Sequence, residues 1–109
     1  MLKHVLLARL REGTPEAVVQ TVMAAFREMA LNMEGCIAFE YGPNNSPEGR
    51  SRGFTHAVVL SFAGAEARDA YLSHPEHRTF SDWAGQLGII EEMLVFDYIP
   101  QTGAAPEAV

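Results

Sequence analysis

Leu2-Lys3-His4-Val5-Leu6-Leu7-Ala8-Arg9-Leu10 opens the chain, and its reading decides the fold. Successive side chains of a β-strand point to opposite faces, so Val5 and Leu7 share one side while Leu6 and Ala8 share the other. Both sides are apolar. A sheet backed by helices on one face only should alternate to polar residues on the other, and this strand does not. The last strand-like run, Ile90 to Ile99, repeats the pattern: Leu94, Phe96 and Tyr98 fall on one parity, Met93, Val95 and Ile99 on the opposite one.

Between these runs the chain punctuates itself. Gly13-Thr14-Pro15-Glu16 supplies a break, an N-cap candidate in Thr14 and a proline at the first helical position. Val18, Val22, Phe26, Met29 and Met33 then recur at helical spacing, which predicts a first helix to about Asn32, ended by Gly35. Cys36 to Tyr41 reads as a short strand closed by Gly42-Pro43-Asn44-Asn45, and a polar loop follows to Gly53. Phe54 to Phe62 alternates as a third strand. Ala65 to Leu72 forms a short helix, and Pro75 restarts a second helical piece that runs to about Gln86, before Gly88.

The order β-α-β-β-α-β predicts an α+β fold of the ferredoxin-like kind, a four-stranded antiparallel sheet with its helices on one face, over residues 1–100. Residues 101–109 form a small-residue tail expected to be flexible. The second sheet face then needs a cover. Nine residues of tail make a poor lid, so a second copy of the chain, packed sheet to sheet in a homodimer, is the simplest closed solution.

The chain has 109 residues, 48% of them hydrophobic and 20% charged, an ordinary composition for one globular domain that folds without disulfide or structural metal. Eight basic against fourteen acidic residues give a formal charge of −6, which disfavours nucleic acid and anionic membrane surfaces as partners. Cys36 stands alone, which fits a reducing cytoplasm. The N-terminus carries no secretory signal pattern and no run is long enough to span a membrane. No cofactor is expected.

Four histidines carry what chemistry the sequence offers. His4 falls on the parity of Leu2, Leu6 and Ala8, and His56 on that of Val58 and Leu60, so each lies within an apolar strand face. Tyr71-Leu72-Ser73-His74-Pro75-Glu76-His77 places His77 in the first turn of a helix, where free N–H groups and the helix dipole favour a neutral imidazole. A neutral imidazole accepts a proton, and Tyr71 offers a phenol to the same region as an oxygen-stabilising donor. Two other readings stand beside this one. His74 caps the helix, His77 bonds a loop carbonyl and Tyr71 is core; or His74-x-x-His77 holds a metal with His4 and His56. Cys36, without a basic neighbour, reads as a small buried residue.

Lys3-His4-Val5, Glu40-Tyr41-Gly42, Gly53-Phe54-Thr55-His56, Asp69 through His77 and Phe96-Asp97-Tyr98 together resemble the stress-responsive dimeric α/β-barrel family, often called Dabb. The resemblance spans about residues 2 to 99. It implies a ferredoxin-like protomer, a homodimer whose sheets form a barrel, and a cavity between each sheet and its helices. A plant polyketide cyclase of that family closes a linear polyketide thioester by aldol condensation with a histidine base and a tyrosine. The correspondence implies His77 as base and Tyr71 as its partner, with His4 and His56 as further pocket histidines; Phe26 and His74 complete the expected ligand-binding residues. Phe26 stands where that cyclase has a second pocket tyrosine and Ile37 where it has a lysine, which implies a more apolar cavity. The expected ligand is a small, largely apolar molecule bearing a carbonyl. A noncatalytic binding dimer and a cofactor-free monooxygenase remain alternatives.

Overall fold

The computed structural model describes residues 1–104, so the part of the expected tail at residues 105–109 lies outside the described residues. Strand β1 spans Leu2–Leu10, helix α1 Glu16–Leu31, β2 Cys36–Pro43, β3 His56–Phe62, α2 Ala65–Ser73, α3 Pro75–Gln86 and β4 Ile90–Tyr98. All strand pairs are antiparallel and the sheet order is β2-β3-β1-β4. This is the ferredoxin-like arrangement, with the second helical segment divided in two at His74.

Register ties the faces together. Leu2, His4, Leu6 and Ala8 pair with Phe62, Leu60, Val58 and His56 on one side, and His4, Leu6 and Ala8 pair with Asp97, Val95 and Met93 on the other. These residues therefore share the helix-facing side. Against it α1 packs Val19, Val22, Met23, Phe26, Met29 and Ala30, and Tyr71 of α2 is just 2% exposed. Leu60 and Phe62 are fully buried beneath them.

Of the boundaries that differ from the sequence expectation, those of α1, β3 and β2 have a visible local cause. Helix α1 starts at Glu16, because Pro15 keeps an extended ψ of 139° and only its carbonyl joins the helix, accepting from Val18 and Val19. Thr14 does not cap; its hydroxyl donates to the Arg11 carbonyl at 2.6 Å in the preceding turn. Strand β3 begins at His56 rather than Phe54, since Arg52 (φ 57°) and Gly53 (φ 83°) turn the chain just before it. Thr55 continues the link to β1 through both its backbone N–H and its hydroxyl, each bonded to the Ala8 carbonyl. Strand β2 extends to Pro43 and carries a bulge between Cys36 and Ala38, which pushes Ile37 outward to 54% exposure.

The opposite sheet face has no helix. It presents Val5, Leu7, Ala57, Val59, Leu94, Phe96 and Tyr98, and Phe96 is 69% exposed. Gln101 to Ala104 are exposed. Among the described residues no helix is long and apolar enough to cross a membrane.

Candidate functional site

Helices α1, α2 and α3 cover β2, β3 and β1 but leave the helix-facing side of β4 open, so Met93 and Val95 stay 41% and 58% exposed. The gap is a cavity of about 540 Å³, within the range of small-molecule sites. Its floor is His4, Leu6, Ala8 and Leu10 of β1 with Val58 of β3; α1 lends Val19, Val22, Met23 and Phe26; Tyr71, His77, Phe80 and Ala84 close it from the other helices, and Met93, Val95 and Asp97 form the β4 rim. His4, Tyr71, His77 and Asp97 cluster at one end.

That end is built around Tyr71. Its ring lies 4.4 Å from His77, 5.9 Å from His4 and 5.2 Å from Phe62, centroid to centroid. Burial raises the Tyr71 phenol above its ordinary value, and nearby Cys36 adds to the rise, so the hydroxyl keeps its proton and acts as a donor. Burial also lowers the His77 imidazole; a backbone hydrogen bond with Leu72 works against the shift and His4 adds to it. A neutral His77 beside a protonated phenol is an acceptor next to a donor.

His4 is 3% exposed and its Nδ1 lies 2.7 Å from Asp97 Oδ1. Asp97 Oδ2 accepts in turn from the Arg68 guanidinium at 2.8 Å, and Arg68 also donates to Asp69 at 2.8 Å. Asp97 and Arg68 were not among the candidates read from the sequence. The spacing of 29 positions between them gives no local signal, although Asp97 shares the parity of Met93 and Val95, an apolar face where a carboxylate needs a partner.

Of the expected site residues, the structure gathers His77, Tyr71, His4 and Phe26 at one cavity. Phe26 packs on Phe39 and Phe80 at 5.1 and 4.8 Å, a wholly apolar contact. His56 and His74 lie apart from that cavity. His56 Nδ1 meets the Thr55 hydroxyl at 2.8 Å, and the residue borders a smaller hollow of about 340 Å³ with Leu7, Phe54 and Leu94. His74 is the N-cap of α3, its Nδ1 accepting from the Glu76 N–H at 3.1 Å. Ile37, outward on the β2 bulge, does not line the cavity. Burial pushes the Cys36 thiol up despite its bond to the Ala38 backbone, which keeps it protonated and unreactive. Among the described residues no group of three His, Cys, Asp or Glu is placed to hold a metal ion.

Comparison with known proteins agrees with this fold. The chain is 31% identical over 99 residues to the stress-response A/B barrel domain-containing protein HS1 of Arabidopsis thaliana, covering 91% of this chain and 89% of that protein. It is 23% identical over 100 residues to olivetolic acid cyclase of Cannabis sativa, with coverage of 92% and 97%. A crystal structure of an Arabidopsis thaliana protein superposes with a TM-score of 0.85 at 30% identity, covering 96% of this chain and all of that one. A dimeric ferredoxin-like protein of unknown function from Jannaschia superposes at 0.75 with 22% identity, with coverage of 91% and 98%, a likeness of fold. Residues 2–100 match the stress-responsive A/B barrel domain, and the chain therefore belongs to that family.

Proposed function

We propose that the protein is a homodimer that binds a small, largely apolar carbonyl compound between sheet and helices and moves a proton next to the carbonyl. The observation that carries this reading is the His77–Tyr71 pair, rings 4.4 Å apart, at the polar end of an otherwise apolar cavity. His77, its imidazole kept neutral by burial, takes a proton from the carbon beside the carbonyl. The electron pair left on carbon delocalises onto the carbonyl oxygen, and the Tyr71 hydroxyl, held protonated, hydrogen-bonds the resulting enolate. The enolate carbon then attacks a second carbonyl of the same molecule, as in a polyketide cyclisation, and the alkoxide left by opening that C=O bond takes the proton from His77; otherwise the enolate carbon takes the proton back from His77. The similarity to olivetolic acid cyclase favours the first course.

The dimer rests on the uncovered sheet face. Val5, Leu7, Leu94, Phe96 and Tyr98 form an apolar surface with no helix over it, and a twofold partner buries the same residues from both sides. The dimeric state of the similarly folded Jannaschia protein supports this arrangement.

The test is α-proton exchange. Protein is incubated in D₂O with a linear β-polyketide thioester, and deuterium at the α-carbon is followed by NMR. His77→Ala should abolish protein-dependent exchange and Tyr71→Phe should slow it by about 10²-fold, the effect of removing one oxyanion donor. Full exchange in both variants would remove the acid–base role and leave a binding protein.

A further inference from the structure

The His4–Asp97–Arg68 chain has no part in the proton transfer just described, yet it ends at the same cavity. Asp97 sits on β4, an edge strand, and Arg68 on α2, one helical turn before Tyr71. Their 2.8 Å contact joins the helical layer to the strand it leaves uncovered. With Oδ2 on Arg68, the Asp97 carboxylate turns Oδ1 to His4 Nδ1 at 2.7 Å. An ionised carboxylate can only accept, so the proton of this bond belongs to Nδ1.

In a neutral ring bonded this way the other nitrogen is an acceptor. Nε2 of His4 has no hydrogen-bond partner among the described residues, and it is not sealed from solvent although His4 as a whole is buried. His4 lines the cavity and its ring stands edge-on to Tyr71. The polar end of the cavity thus offers one donor, the Tyr71 hydroxyl, beside an acceptor distinct from His77.

We propose that Asp97, clamped by Arg68, is a positioning residue that fixes His4 as the Nδ1–H tautomer, and that His4 Nε2 and the Tyr71 hydroxyl together select a ligand carrying an enolic or hydroxyl O–H beside its carbonyl. Tyr71 donates to the carbonyl oxygen while Nε2 accepts from the neighbouring O–H. A plain ketone satisfies only the first group and covers Nε2 with carbon, leaving it without a donor, which costs binding. The choice of ligand deepens the reading of the cavity as a carbonyl site; the tautomer stands without it.

Two measurements test the proposal without turnover. Long-range ¹H–¹⁵N NMR of the histidine rings reports the tautomer directly, with the His4 signals assigned by their loss in His4→Gln. The intact protein should show His4 as Nδ1–H. In Asp97→Asn, Arg68 takes the amide oxygen and the amide NH₂ faces His4, so the ring should flip to Nε2–H. An Nε2–H ring in the unaltered protein overturns the positioning role, and this reading needs no variant should Asp97→Asn fail to fold. The second measurement compares 1-hydroxy-2-nonanone, whose hydroxyl stands beside its carbonyl, with 2-nonanone by NMR titration. The hydroxyketone should bind about tenfold more tightly, the worth of one hydrogen bond, and the preference should vanish in Asp97→Asn. Equal binding of the two probes to the unaltered protein overturns the ligand class. Each outcome is independent of whether His77 supports α-proton exchange.

Discussion

Tyr71 is buried and His77 half-buried, each enough to shift its proton equilibrium, and the two shifts act on stability in opposite pH ranges. His77 has its folded value depressed below its ordinary 6.5, so the unfolded chain takes up this proton first as pH falls. Its contribution is fully present above about pH 6.5 and is lost as pH drops toward the folded value. Thermal midpoints measured between pH 7.5 and 5 should fall, and His77→Gln should flatten that slope; an unchanged slope would mean the imidazole is hydrated in the folded state. Tyr71 behaves in the reverse sense. With its folded value raised above its ordinary 10.0, it destabilises the fold only as pH rises past that point, where the unfolded chain ionises and the native one resists. At neutral pH it remains a donor. The parity of His4 was legible in the strand, and so was the helix-start position of His77. The Asp97–Arg68 pair was not, because its members meet across the gap between α2 and β4, far apart in sequence.

At the level of elements, the joint between α1 and β2 leaves no room for a side chain at Gly35. Gly35 adopts φ +82°, the left-handed region that favours glycine, and a Cβ built there would meet the Ala67 Cβ of α2 at 2.5 Å. Two independent costs fall on one position. Gly35→Ala should lose roughly 2–3 kcal/mol of stability in denaturant titration, from backbone strain and from the displacement of α2. Adding Ala67→Gly should recover the clash but not the strain, so partial recovery is expected and full recovery would refute the backbone share. Because α2 carries both Arg68 and Tyr71, Gly35 also sets where the polar end of the cavity lies. The sequence announced the glycine as a helix stop. It did not announce Ala67, since the contact depends on how closely α2 approaches the α1–β2 turn. The division of the second helix was legible too, from Pro75, and His74 fills the capping role that its position before the proline suggests.

For the whole molecule the deciding quantity is the apolar sheet face. Phe96, 69% exposed and 6.4 Å ring to ring from Tyr98, stands on the uncovered side of the edge strand. Phe96→Glu should leave the protomer fold nearly unchanged, because little of the side chain is buried within one chain. In a twofold dimer the same change enters the interface twice, at roughly 2 kcal/mol for each copy, and should weaken association by about 10³-fold. Light scattering across a concentration series checks this; an unaltered mass in the variant would place the interface elsewhere.

By itself the sequence determined the element order, the two apolar faces of β1 and β4, and the placement of His4, Tyr71 and His77 on elements that share one side of the sheet. Those features follow from periodicity and punctuation, which are local and repeat along the chain. Tertiary structure alone decided that His56 and His74 lie apart from the cavity and that Asp97 and Arg68 complete its polar end. The reason is physical: parity fixes the side of a sheet a residue faces, but which neighbours it meets there depends on strand register and helix approach, and both are set by packing across the whole domain.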